Sequence, residues 1–436
     1  MRNGNNHPDG WFARLGERRT PVLFALAALA FLTYLPFLSL PPMQDDYLQV
    51  HLAGRYGSPS GWMDLLHDPL YRCRATSILL TAATLHLFGW SLLSFHLTSL
   101  ALHVLNVLLI AALGSSRKIG WPVSLVAAFI FAARERHHEA VIWYASLHEP
   151  LALLFALLAL LSLICWLEGD SKYWLVATAL ASLAALASKE SGVLLAAILP
   201  ALVWLYPERR RALAPLLAAS AAITAVYFLL AFSRRSEHQH FNDGTFSFQA
   251  NVARTLLYSA VRGLWIWGGL SLAAVAAYRA KLDFRLLAFG ATWFLAGLLP
   301  YSFLTYMPRI PSRHHYLASV GFAIIAAIAF QAFIQSRRRR SWIAATLACA
   351  FLLHNWTYLW VSKKPQFEWR AALIEDFVTF VAEKPGRDVV NGCGDLNSDE
   401  AKKALSQRLG LDSRILIPAS AQPADRVYPC PPAPKS

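Results

Sequence analysis

From Pro21 to Leu40 the chain carries no charged side chain, and Leu- and Ala-rich stretches of similar length recur as far as residue 361. A helix needs about 20 apolar residues to cross the hydrocarbon of a bilayer. Only helices or closed barrels satisfy their backbone polar groups there. The runs are continuous rather than alternating, which excludes the strand pattern of an outer-membrane barrel. Charged residues make up 15% of the chain, against roughly 25% in a soluble globular protein. The sequence therefore predicts an all-α polytopic membrane protein.

Spans are expected near 21–40, 92–113, 119–133, 150–167, 172–188, 191–206, 212–232, 255–277, 286–305, 316–335 and 341–361, about eleven by the length rule. The first follows Arg14, Arg18 and Arg19, but it is too long and lacks the small-residue cleavage site of a signal peptide, so it reads as a retained span. The net charge of +14 could suggest a nucleic-acid partner. The cations instead fall in short clusters between apolar runs: Arg117-Lys118, Arg209 to Arg211, Arg279 with Lys281 and Arg285, and Arg337 to Arg340. With the N-terminus inside, nearly all dense basic clusters face the cytoplasm, as the positive-inside rule requires. No nucleic-acid partner is expected. The localisation that follows is a multi-pass inner (cytoplasmic) membrane protein, or an ER membrane protein in a eukaryote, with its C-terminus outside.

This topology divides the chain into a cytoplasmic segment 1–20, a membrane domain 21–361 with a long outer loop 41–91, and a small outer module 362–436 with helices near 367–383 and 398–409. Within the loop, Trp62, Met63, Leu65, Leu66, Leu70 and Tyr71 suit a helix lying at the membrane interface. Cys73, Cys393 and Cys430 face an oxidising compartment in this arrangement, and a Cys393–Cys430 disulfide is expected. Cys165 and Cys349 fall inside spans.

Ionisable residues gather at the outer face. Asp45-Asp46 directly follows the first span. Such a pair can be simply hydrated, but at the mouth of a polytopic bundle one carboxylate can serve as general base toward an acceptor hydroxyl, the other orienting the acceptor or holding a cation. Arg72 and Arg74 carry guanidinium groups that fork onto phosphate oxygens; snorkelling at the interface is the simpler alternative. His96 and His103, seven apart, lie on one side of a helix and can bond across helices. Arg134 and Arg136 run against the charge rule and could hold an anion. His138-Glu139 and His148-Glu149 lack the His-Glu-x-x-His spacing of a zinc site, so they read as shaping the outer cavity. Lys189-Glu190 interrupts two apolar runs as a buried pair, either compensating each other or functional. Arg313 and His314, after Arg309, could hold a phosphate and offset leaving-group charge. No nucleotide-binding loop, dinucleotide fingerprint or fixed-period repeat is present.

The order of these pieces resembles polytopic GT-C glycosyltransferases, most closely the protein O-mannosyltransferase-like branch that includes transmembrane proteins with tetratricopeptide repeats. The matching residues are Asp45-Asp46, Tyr71-Arg72, Phe95-His96-Leu97 with Leu102-His103, Ala127 to Ala132, His138 to Val141, Ser188-Lys189-Glu190 and Arg313 to Gly321. The resemblance implies a GT-C-like bundle. It also implies an enzyme passing a sugar from a polyprenyl-phosphate sugar to an acceptor on the extracytoplasmic face, with inversion and with hexosyl or mannosyl specificity. Asp45 or Asp46 would be the base, and Arg72, His138, Glu139, Lys189, Glu190, Arg313 and His314 would line the substrate or donor-phosphate site. No cofactor is required; the acids leave a divalent cation open, and neither metal ligands nor the acceptor are identified. Cys73 stands where this branch commonly has Pro, His148-Glu149 replaces a basic-acidic step, and no tetratricopeptide array follows residue 361. A transporter or lipid flippase, a polysaccharide polymerase or ligase, and a non-catalytic scaffold are the alternatives. Transporters favour ionisable residues near the midplane, whereas these collect at one face.

Overall fold

The structure, a computed structural model, describes residues 19–233, 235–237, 239–305, 311–335, 341–383, 389–391, 393, 396, 398–409, 416–417 and 426–429. Each expected span contains a helix: Thr20–Tyr34, Leu92–Ala112, Trp121–Ala133, His148–Gly169, Tyr173–Leu186, Leu195–Leu205, Arg210–Ser233, Val252–Ala277, Phe284–Leu298, Ser319–Gln335 and Ser341–Thr357. Five described segments are long and apolar enough to cross a membrane alone: Thr20–Phe37, Leu92–Ser115, Tyr144–Gly169, Val252–Ala277 and Phe284–Phe303. Glu190–Leu205 and Pro207–Tyr227, bent by 110°, would together make a sixth. Length therefore qualifies fewer complete spans than the sequence suggested. Trp121–Ala133 and Tyr173–Leu186 are short because they stop at Arg134 and before Ser188-Lys189, where polar side chains turn inward and the backbone leaves the helix.

The centre of the bundle is the helix His148–Gly169, buried along most of its length, packed with Tyr173–Leu186, Leu92–Ala112 and Leu195–Leu205. A helix apolar on every side belongs in such an interior. Phe284–Leu298 and Ser319–Gln335 touch backbone to backbone. A Cβ on Gly321 would lie 2.3 Å from the Phe294 nitrogen, and one on Gly297 would lie 2.6 Å from Ala318 Cα. Small residues permit this close approach between membrane helices, and it fixes the segment leading into Ser319.

The loop 41–91 is mostly helical. It contains Gln44–Tyr56, the short helix Trp62–His67 and Ala75–Phe88. The short helix exposes Trp62, Met63 and Leu66. Asp45 and Asp46 thus occupy the first turn of a helix rather than a flexible connector.

No break separates the last apolar helix from the tail. Ser341–Thr357 passes through a π-helical stretch, Tyr358–Lys363, directly into Lys364–Ala382. Beyond it, β1 (Val389–Asn391) pairs in parallel with β2 (Leu416–Ile417) on one side and β3 (Arg426–Tyr428) on the other. The helix Ser398–Leu409 completes this module. The sheet was not foreseen because its strands hold only two or three residues. Cys393 is disulfide-bonded; Cys430, its expected partner, lies outside the described residues.

Candidate active site

Asp46 and Asp45, adjacent in sequence, have different surroundings. Asp46 is at the third position of its helix, and its Oδ2 accepts the Met43 N–H at 2.8 Å, closing the free amide that a helix start leaves. Its Oδ1 accepts the Ala145 N–H at 2.7 Å. Both oxygens are therefore bonded to backbone, and the carboxylate ties the loop 41–91 to the segment ahead of the helix His148–Gly169. Burial pushes the Asp46 carboxyl up to about 7, opposed by those two amides and by Arg370 and reinforced by Asp45. Asp45 is half-buried, and among the described residues its carboxylate has no hydrogen-bond partner. Pro42, Val50, Trp90, Leu92, Phe95, His96 and Tyr144 line a small cleft with Asp46.

The segment after Ala133 provides the next wall. His138 is buried with both ring nitrogens occupied, Nδ1 by the Glu135 carbonyl at 2.6 Å and Nε2 by Ser312 Oγ at 2.9 Å. It splices the segment after Ala133 to the segment before Ser319. Glu139 Oε2 accepts the Arg313 N–H at 3.1 Å. Burial acts to raise the Glu139 carboxyl, but His138, Arg313 and hydrogen bonding outweigh it and hold the group down at about 2, so Glu139 is ionised.

Two guanidinium groups lie over the Trp143 ring, Arg313 at 4.9 Å and Arg370 at 4.4 Å from its centroid. Arg370 belongs to the helix Lys364–Ala382 and shares the field of Glu139, Asp45, Arg313 and Asp46. It is absent from the sequence-based candidates. Asp45, Asp46, Glu139 and Arg313, drawn from three separate stretches of chain, are brought together here, with Arg370 as a fifth member.

Lys189 and His314 lead elsewhere. Lys189 Nζ donates to Glu149 Oε1, His314 Nδ1 meets the same oxygen at 2.8 Å, and the Tyr301 hydroxyl donates to Glu149 Oε2 at 2.8 Å. The His314 ring stacks on Tyr301 with centroids 4.1 Å apart. Glu149 is fully buried, so the expected Lys189–Glu190 pair is replaced by a pair with an acid forty positions away. The short sequence step Lys189-Glu190 concealed this because the backbone is extended at Lys189, separating neighbours. Lys189 and His314 both meet Glu149, and Glu149 itself is a residue whose only sequence signal is its place in His148-Glu149-Pro150. Removing one partner of a buried ion pair costs about 3–5 kcal/mol because the other charge is left unpaired. Glu149→Ala is accordingly expected to lower thermal stability in detergent by that amount, and pairing it with Lys189→Met should recover much of the loss. Equal melting of Glu149→Ala and wild type would contradict the network.

Glu190 is half-buried and Arg72 lies beside Cys73 and Tyr227, whose hydroxyl donates to the Cys73 sulfur at 2.8 Å. Glu190 acts on the same pair electrostatically. His96 Nε2 bonds the Leu40 carbonyl at 2.9 Å, and His103 bonds the Tyr316 hydroxyl through Nδ1 at 2.9 Å and the Ala132 carbonyl through Nε2 at 3.2 Å, so His96 ties its helix to the segment before Gln44 and His103 joins it to Trp121–Ala133. Arg134 donates through Nη2 to the Gly263 carbonyl and lies on the Phe322 ring. The helix Val252–Ala277 breaks at Trp265, φ 45° and ψ −153°, where its hydrogen-bond ladder cannot be completed, and Arg134 supplies a donor. Arg136 pairs with Glu135 at 3.1 Å. Arg309 lies outside the described residues. Among the described residues no three His, Cys, Asp or Glu side chains form a metal-binding group.

No protein-family model matches the sequence, and no curated protein matches it. Among solved structures, the chain is similar to ArnT from Cupriavidus metallidurans. Against the crystal structure of ArnT bound to undecaprenyl phosphate, identity is 16% and the TM-score 0.50, with 92% of this chain and 90% of that chain covered. Against ArnT in the apo state, identity is 16% and the TM-score 0.54, with 93% of this chain and 87% of that chain covered. The chain therefore has an ArnT-like fold.

Proposed function

We propose that this protein is a membrane glycosyltransferase that moves a sugar from a polyprenyl-phosphate sugar to an acceptor on the extracytoplasmic face, with inversion at C1. The observation that carries the reading is the pairing of Asp45, a carboxylate with no hydrogen bond among the described residues, with two guanidinium groups gathered on Trp143 in one electrostatic field. Such a site has a base for an incoming hydroxyl and cations for a departing phosphate. The fold shared with ArnT, one structure of which holds undecaprenyl phosphate, supports a lipid-phosphate donor.

In this mechanism the acceptor oxygen attacks C1 as Asp45 removes its proton. The C1–O bond to the lipid phosphate breaks, and polyprenyl phosphate leaves with the bonding electrons. Arg313 and Arg370 are the donors for its charge. Asp46, with both oxygens bonded to backbone, fixes the position of its neighbour. Glu139 keeps Arg313 in place through the backbone contact, and Arg72 and Glu190 border the site from the side of Tyr227. The donor arrives activated, so no cofactor enters. By this reading the N-terminus is cytoplasmic, the module after residue 361 lies outside, and the transferred sugar is a hexose of the mannose type.

Incubating membranes that contain the protein with a panel of labelled polyprenyl-phosphate sugars tests the reading. Consumption of one donor with release of polyprenyl phosphate supports it, and consumption of the mannosyl donor supports the finer assignment. A panel left intact by well-expressed protein overturns the enzymatic reading.

A further inference from the structure

We propose that the C-terminal module is a clamp that positions the Asp45–Asp46 carboxylates through Tyr47, making Tyr47, Glu375 and Arg408 positioning residues. This rests on the catalytic role given to that pair. Tyr47 follows Asp46 directly, yet its side chain is 0% exposed and belongs to the module's own apolar core, with Leu373, Ile374, Phe377, Ala404 and Leu405. Among the described residues of that core, Tyr47 alone comes from outside the module and its leading helix.

The ring is gripped through its polar atoms as well. Gln407 Nε2 donates to the Tyr47 carbonyl at 3.0 Å, Arg408 Nη1 donates to the hydroxyl at 3.1 Å, and the hydroxyl donates to Glu375 Oε1 at 3.4 Å. Arg408 in turn holds Glu375 through two bonds, at 2.6 and 3.2 Å, a bidentate geometry that restricts both side chains. On its other side Tyr47 stacks with Trp90, centroids 5.5 Å apart.

The first turn of the helix Gln44–Tyr56 is consequently anchored twice. Asp46 fastens it to Ala145 of the bundle, and one residue later Tyr47 fastens it to the module. Asp45, which has no hydrogen bond among the described residues, is oriented by these neighbours. A misplacement of about 1 Å can lower a rate by about 10²-fold, so a carboxylate acting as base needs this kind of restraint. A cap with no positioning role would have no reason to bury a side chain adjacent to the acids.

The test uses the full-length protein and labelled polyprenyl-phosphate mannose, with variants Tyr47→Phe, Arg408→Ala and Arg408→Lys. Tyr47→Phe keeps the ring in the core and removes only the hydroxyl contacts, so it folds where a larger truncation could fail. Both Tyr47→Phe and Arg408→Ala should lower kcat, Arg408→Ala by about 10-fold or more toward the limit set by misplacement. KM should stay near wild type, and Arg408→Lys should recover part of the loss. Wild-type kcat in both variants, or a loss confined to KM, overturns the clamp. Carbodiimide labelling of Asp46, read by mass spectrometry, is independent of turnover: labelling should rise in Tyr47→Phe and Arg408→Ala, and unchanged labelling overturns the clamp. Should wild type consume no polyprenyl-phosphate mannose, the mannose assignment fails, and the labelling alone decides the clamp.

Discussion

Asp45→Asn is expected to lower donor consumption by about 10²–10⁴-fold, the usual contribution of a general base, while melting like wild type. Asp46→Asn is expected to lower both activity and stability. The difference follows from bonding. Asp45 makes no hydrogen bond among the described residues, so its amide replacement breaks none of them and removes the proton acceptor together with a charge that acts on Arg370 and Asp46. Asp46 accepts from two backbone amides, and an asparagine there turns an amine toward one of two N–H donors. A buried donor left unsatisfied costs about 1–3 kcal/mol, which thermal denaturation in detergent would register. Titration separates the two further. The Asp46 carboxyl is raised from 3.8 to about 7 by burial, so between those values the folded chain binds more proton than the unfolded one. Stability from this group therefore declines as pH rises through that interval, and Asp46→Asn removes that slope. If Asp45→Asn retains wild-type turnover, or if Asp46→Asn alone is inactive at unchanged stability, the roles given to the two residues are wrong.

Hydropathy made the helices legible because a bilayer imposes a length and a composition on every span, and the eleven expected runs each contain a helix. The polar segments between them were legible as places and not as partnerships. Lys189 was visible as a charge amid apolar residues, but its partner Glu149 reaches it only after the chain has turned back. His138 looked like a ligand-facing residue, yet both nitrogens are used in joining Glu135 to Ser312. Asp45 and Asp46 are chemically identical in the sequence; what distinguishes them is that the third position of a helix points its side chain at the free amide of Met43. The sequence also gave the segment after residue 361 the look of a separate polar tail, because Lys363, Lys364 and Pro365 interrupt the apolar pattern. The helix nevertheless continues through a π-turn, and that continuity carries Arg370 back over Trp143.

Arg370→Ala is expected to reduce kcat by about 10²–10³-fold, the effect of deleting one preorganised donor to a charge that develops in the transition state. The guanidinium lies 4.4 Å from the Trp143 centroid beside that of Arg313, and its neighbours include Asp45, Asp46 and Glu139. Three acids close to one arginine would by themselves repel an anionic lipid, so the two cations must both admit the donor phosphate and stabilise it on departure. Arg370→Lys keeps the charge but loses the planar fork that meets phosphate oxygens in pairs and stacks on an aromatic ring, and should recover only part of the rate. Lost packing on Trp143 could also lower activity, and the leaving group distinguishes the two causes. A polyprenyl-diphosphate sugar departs as a more stable anion and depends less on the protein for charge stabilisation, so the ratio of wild-type to Arg370→Ala rates should shrink with that donor. A ratio that is the same for both donors would assign Arg370 to packing, and wild-type kcat with the monophosphate donor would remove it from the site altogether.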